Sequence, residues 1–224
     1  MKTATLLCAL ISICYSSFGQ KFSQITSNPQ ATTAILFTKD PNTLGIAGNP
    51  NFNTDWKQGS VTTSNGDQVD LESMQFNLFL GKILFLQNGS PYTLPDALNI
   101  QEFTIGNSTF IYTKFNRTNS KDFLQVLSSG NSVSLLKRYE CNIIKGKPTS
   151  GMILATPDKY TVSSDYFVKL PDGTVDKIRA KKEDVLEIMV DKSLEINDYV
   201  KKNKLKFKNE NDLIKVFYYY NSLD

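Results

Sequence analysis

The chain of 224 residues contains no histidine, one tryptophan and three cysteines. Without histidine there is no general base for a Ser–His–Asp hydrolase, no partner for a Cys–His protease and no imidazole for zinc, copper or iron. Two of the cysteines, Cys8 and Cys14, fall in the first twenty residues. That leaves Cys141 alone in the body of the chain, too little for a disulfide framework. The phosphate and nucleophile loops are missing too: no G-x-x-x-x-G-K-[ST], no G-x-G-x-x-G, no G-x-S-x-G. Nor is there a D-x-[DN]-x-[DN]-G calcium loop, so the composition points to no cofactor. Charge of one sign does not dominate: 25 basic residues face 22 acidic ones. Beyond the N-terminus the strongest apolar run, Leu78–Leu86, is interrupted by Gly81-Lys82 and falls short of the roughly 20 residues a helix needs to cross a bilayer.

What is present begins with an address. Lys2 gives a positive start, Leu6–Tyr15 a short apolar stretch, and Ser17-Phe18-Gly19 a small-x-small cleavage site. Residues 1–19 therefore read as a signal peptide cut before Gln20, and the mature protein as secreted or periplasmic, without a transmembrane segment. Residues 20–58 are poorly periodic and read as an N-terminal arm. Within it Ala31–Thr38 suits one short element, and Asp40–Asn53 is rich in Asn, Pro and Gly.

From Gly59 to Arg179 the hydrophobic period is two, broken by turn dipeptides. Asn65-Gly66 suits a type I′ hairpin, and Asn88-Gly89 turns the chain again. Met74, Phe76, Leu78 and Leu80 alternate with Gln75, Asn77 and Phe79, as in a half-buried strand. Ile83–Leu86 is continuously apolar and reads as covered on both faces. Val133, Leu135, Lys137, Tyr139, Cys141 and Ile143 share one strand face, which makes Cys141 a buried, inert thiol. About nine or ten strands result, and open sheets that large curl. The expected fold class is α+β: an antiparallel β-meander over 59–179, as a strongly curved sheet or partial barrel, then C-terminal amphipathic helices over 180–224 packed on it. In that last region Val185, Ile188 and Met189 form one helical stripe and Ile196, Tyr199 and Val200 a second. Leu213, Val216, Phe217 and Tyr220 form the third, with Asn209 as its N-cap.

Paired carboxylates are the catalytic machinery that this composition leaves open. The β-region offers Asp55, Asp67, Asp70, Glu72, Glu102, Glu140 and Asp165. Ser134-Leu135-Leu136-Lys137 matches S-x-x-K in letters, but on a strand i and i+3 project to opposite faces. Candidate binding residues are Trp56 and the lysine run Lys201, Lys202, Lys204, Lys206 and Lys208, which suits an anionic lipid or glycan surface. The alternative for the run is a solvated helix end, with Glu183, Asp184, Glu187, Glu195 and Asp198 neutralising much of it. Lysine in place of arginine argues against nucleic-acid readout. Trp56 equally suits the sealed edge of a sheet. Phe217-Tyr218-Tyr219-Tyr220 places Phe217 and Tyr220 in a buried stripe rather than on a stacking platform.

Three stretches carry a resemblance: Gly48-Asn49-Pro50-Asn51-Phe52-Asn53-Thr54-Asp55-Trp56-Lys57-Gln58-Gly59-Ser60-Val61; Leu135-Leu136-Lys137-Arg138-Tyr139-Glu140-Cys141; and Lys181-Lys182-Glu183-Asp184-Val185-Leu186-Glu187 continuing to Asp212-Leu213-Ile214-Lys215. The whole resembles an uncharacterised family of small secreted or periplasmic bacterial proteins with a β-meander body and a lysine-rich helical C-terminus. The resemblance implies location and layout and assigns no catalytic residue. The expected role is non-catalytic binding or structure in the bacterial cell envelope, with an envelope protein, a glycan or an anionic lipid surface as partner. Two rivals stand beside it: a carboxylate-dependent glycan hydrolase, and a carrier of an apolar ligand inside a curved sheet or barrel.

Overall fold

A computed structural model describes residues 45–115, 120–148 and 154–223. The expected signal peptide, the Ala31–Thr38 element and the first part of the arm lie outside these residues. The strands are β1 (Ile46–Ala47), β2 (Lys57–Thr63), β3 (Gln68–Asn77), β4 (Lys82–Gln87), β5 (Ser90–Thr93), β6 (Ile100–Ile105), β7 (Ser108–Lys114), β8 (Lys121–Ser128), β9 (Ser134–Ile144), β10 (Asp158–Lys169) and β11 (Val175–Ile178). Three helices follow: α1 (Lys182–Ile188), α2 (Ser193–Lys202) and α3 (Glu210–Asn221).

All the strands join one sheet in the order β1-β10-β9-β8-β7-β6-β2-β3-β4-β5, with β11 also on β10. The meander expectation holds only in part. Two meanders, β2–β5 and β6–β11, meet because β6 pairs with β2 and not with β5. The sheet is mixed, since β1 runs parallel to β10 while its other pairings are antiparallel. The Asn65-Gly66 expectation also needs correction. Only Gly66 of that pair has positive φ, so the turn is not type I′, whereas Asn88 and Gly89 both have it.

The sheet is open but strongly curled. In the strand order β3 lies six places from β10, roughly 28 Å away in a flat sheet. Yet the ring of Phe79, in the β3–β4 turn, sits 5.4 Å from that of Tyr160 on β10. The arm spans what remains of the gap. Ile46–Ala47 pairs with Asp158–Lys159 on β10, and a few residues later Phe52 N–H donates to Phe76 O at 2.8 Å. Leu78 N–H donates to Pro50 O at 2.8 Å, and Asn51 bridges Asn77. This explains a departure from simple alternation: Gln75 and Asn77, on the expected solvent face of β3, are buried. Gln75 Nε2 donates to Thr54 O at 2.8 Å, and the Asn51 amide joins Gln75 and Asn77 at 3.0 Å each. Their hydrogen bonds to the arm offset the cost of removing them from water.

The curl encloses an aromatic core. Phe103 and Phe110 stack across β6 and β7 at 4.7 Å, and Phe76 of β3 touches both. Phe123 and Phe52 close over them. On the same face the helices cover Val133 just before β9, Leu135 at its start and Val168 near the end of β10. The buried residues of the helices are the expected stripe members Val185, Met189, Ile196, Leu213, Val216, Phe217 and Tyr220. A small cluster of Phe115, Leu124, Leu136, Phe167 and Val175 packs on the opposite face. Asn209 caps α3, accepting from Asp212 N–H at 3.0 Å.

Gly59 sits at a register shift where β2 passes between β3 and β6. A Cβ there would lie 2.1 Å from Thr104 O and 2.2 Å from Met74 Sδ. The carbonyl belongs to the sheet ladder and cannot swing aside. Gly59→Ala is therefore expected to cost about 1–3 kcal/mol in urea unfolding, and an unchanged midpoint would contradict the close strand approach.

Candidate functional site

The curl of the sheet brings the β3–β4 turn and the β5–β6 link over the start of β6, the end of β7 and the start of β8. There they line a half-open cavity of about 490 Å3, within the usual size range of ligand sites. Leu80, Ile83, Leu94, Ile100 and Phe123 supply its apolar lining. Its polar lining is Lys82, Asp96, Asn99, Gln101, Tyr112, Lys121 and Asp122. Each residue has a local reason to be there. Tyr112 follows Phe110 at the strand period of two and is the last ring of the inward row, 37% exposed beside Phe123 at 4.9 Å. Pro95 fixes the entry to a single 3-10 turn, Asp96–Leu98, which ends at Asn99 in the left-handed region. Lys82, at the start of β4, reaches across the cavity wall to pair with Asp96. Asp122 is paired with Arg138 at 2.8 Å.

The expected site residues lie elsewhere. Trp56 is half-buried just ahead of β2. Lys201 and Lys202 end α2, and Lys204, Lys206 and Lys208 follow in its connection to α3, all exposed. None of the six lines the cavity. Among the described residues no ion pair reaches these five lysines, and Asp184 binds Arg179 at 2.7 Å. Of the β-region carboxylates singled out from the sequence, none lines the cavity, whereas Asp96 and Asp122 do. Among the described residues no three cysteine or acidic side chains gather as a metal site. No helix among them is long and apolar enough to cross a membrane.

A second polar cluster joins the helices to the sheet. Glu210, in the first turn of α3, accepts from Lys137 Nζ at 2.6 Å and from Tyr166 Oη at 2.7 Å. Lys137 also lies over the rings of Tyr139 and Tyr166, and Tyr139 Oη donates to Gln125 at 2.7 Å. Burial alone would depress Lys137, but the hydrogen bond and charge of Glu210, with Tyr139, outweigh it and raise the ammonium above its ordinary value. Burial likewise pushes Glu210 up, yet hydrogen bonds from Lys137 and Tyr166 hold it below the ordinary carboxylate value. Burial, then the Glu210 hydrogen bond, push Tyr166 well up. Each shift moves away from neutrality. Cys141 follows the same rule: it is buried as expected, and burial pushes its thiol up.

These directions fix a pH profile. Glu210, lowered in the fold, contributes stability that is full above its ordinary value of 4.5 and lost as pH falls through its folded value. Lys137, Tyr139 and Tyr166, raised in the fold, contribute stability that is full below 10.0, the ordinary tyrosine value, and lost as pH rises through their folded values. With no histidine in the chain, thermal midpoints are expected to stay flat from about pH 5.5 to about pH 8. A step near pH 6.5 in a circular-dichroism melt series would contradict this.

No family model, no curated protein and no solved structure matches the chain. The site is therefore read from its own chemistry.

Proposed function

We propose that this is a secreted or periplasmic, non-catalytic binding protein of the bacterial cell envelope, and that its ligand seats in the cavity where the β3–β4 turn and the β5–β6 link meet β6–β8. The observation that carries this reading is the convergence there of polar and aromatic side chains from β4, the β5–β6 link, β6, β7 and β8 beside the buried Ile83 and Leu94. The location rests on the signal-like N-terminus. The non-catalytic reading is supported by the engagement of both cavity carboxylates with cations.

A carboxylate-dependent glycan hydrolase is the second reading, favoured by Asp96 and Asp122 lining one cavity. Each is already engaged with a cation, Lys82 and Arg138, which weakens it. The carrier reading draws on the apolar floor alone and does not use the polar rim.

Native mass spectrometry of the protein purified from its own host tests the proposal. A retained small molecule is expected, and Gln101→Trp, which fills the cavity from an exposed position, should reduce its occupancy at least about tenfold. Equal retention by the variant would place the ligand elsewhere. Degradation of a glycan panel, abolished by Asp96→Asn or Asp122→Asn, would establish the hydrolase instead.

A further inference from the structure

We infer that the ligand class of this cavity is a neutral saccharide, an inference that rests on the cavity being the binding site. The charges on its lining balance: Lys82 and Lys121 against Asp96 and Asp122. Three of the four are committed in ion pairs, Asp96 with Lys82 across the wall and Asp122 with Arg138 behind it, and Lys121, exposed at the start of β8, is the fourth. A cation would therefore meet no surplus of opposite charge, and an anion would meet Lys121 alone. A long acyl chain fits no better, because seating it would strip water from these charged side chains and from the amides of Asn99 and Gln101 without replacing their hydrogen bonds. An uncharged sugar offers what the lining needs. Its hydroxyls are donors and acceptors for amides, carboxylates and ammonium groups, and its C–H face is apolar.

Tyr112 supplies the complement to that face. The ring is 37% exposed, lines the cavity, and pairs across β7 and β8 with Phe123, whose centroid is 4.9 Å away. Phe123 in turn rests on Phe76 and Phe103 of the core. The platform is thus braced from below and loses little freedom when a sugar stacks on it. The volume, about 490 Å3, suits a short oligosaccharide and not an extended polymer.

The test is calorimetric titration and 1H–15N NMR of the full chain. The neutral probes are maltotetraose, cellotetraose and chitotetraose; the others are palmitate and a heparin-derived tetrasaccharide. At least one neutral oligosaccharide is expected to bind and to shift the amides of Gln101, Tyr112 and Phe123. Tyr112→Ala should weaken that binding at least about tenfold, and Tyr112→Phe should stay within about twofold. If palmitate or the heparin fragment binds at these amides while the neutral sugars do not, the saccharide assignment falls and the cavity remains the site. If every probe leaves the cavity amides unmoved, both fall. Sugar binding that Tyr112→Ala leaves intact overturns the stacking role and with it the assignment.

Discussion

Phe110→Ala is expected to lower the unfolding free energy by about 3–5 kcal/mol. Phe110 is fully buried, stacks on Phe103, and meets the rings of Phe52 and Phe76 at 4.9 and 5.3 Å. These neighbours come from the arm, β3 and β6, which are fixed by separate hydrogen-bond ladders, so they cannot jointly collapse into the space left behind. The loss should exceed the transfer free energy of the ring alone, because the void adds its own term. Urea unfolding checks the magnitude. Hydrogen exchange checks the place: amides of Phe52 and Leu78, which tie the arm to β3, should lose protection before those of α3. By contrast Tyr112→Ala, at the edge of the same aromatic row, removes an exposed ring and should cost under about 1 kcal/mol. A Phe110→Ala variant as stable as the wild type would mean that the curl is not held by its rings.

Lys137→Ala is expected to cost about 2–3 kcal/mol, the scale of losing hydrogen bonds to a charged group. The lysine side chain is 14% exposed and Glu210 34%, so the pair falls short of the larger penalty of a wholly buried charge left alone. Removing the ammonium leaves Glu210 and Tyr166 facing each other at the foot of α3. Lys137→Ala combined with Glu210→Ala should therefore destabilise by clearly less than the sum of the single changes, the signature of direct coupling. The other end of α3 should hold. Asn221 accepts from Ser132 and Val133 N–H at 3.2 and 3.1 Å and donates to Val133 O at 2.9 Å. Exchange should accelerate in the first turns of α3 and not in its last. Additive single and double variants would sink the coupling.

Much of this was legible from periodicity. The helical stripes of the C-terminal region, the Asn209 cap and the inward face of Cys141 follow from spacing, because local geometry decides them. The order of the strands was not, since an antiparallel hairpin pattern specifies neighbours in sequence and says nothing of β6 returning to β2. Nor was the burial of Gln75 and Asn77, which depends on an arm with no period of its own. The cavity was half legible. Tyr112 could be read as the continuation of the row begun by Phe110, and Lys82 as the interruption of an apolar run. Asp96 and Asp122 gave no such signal, because both acquire meaning only when the curl brings a distant link and strand together. Trp56 and the lysine run stood out by rarity and density, which are properties of the sequence and not of convergence.

Hydrogen–deuterium exchange of the protein with its host-derived ligand retained and then removed is the most direct measurement. Protection by the ligand is expected at 80–83, 94–101 and 121–123, and none at Lys201–Lys208. Protection confined to the lysine connection between α2 and α3, with the cavity segments unchanged, would contradict it.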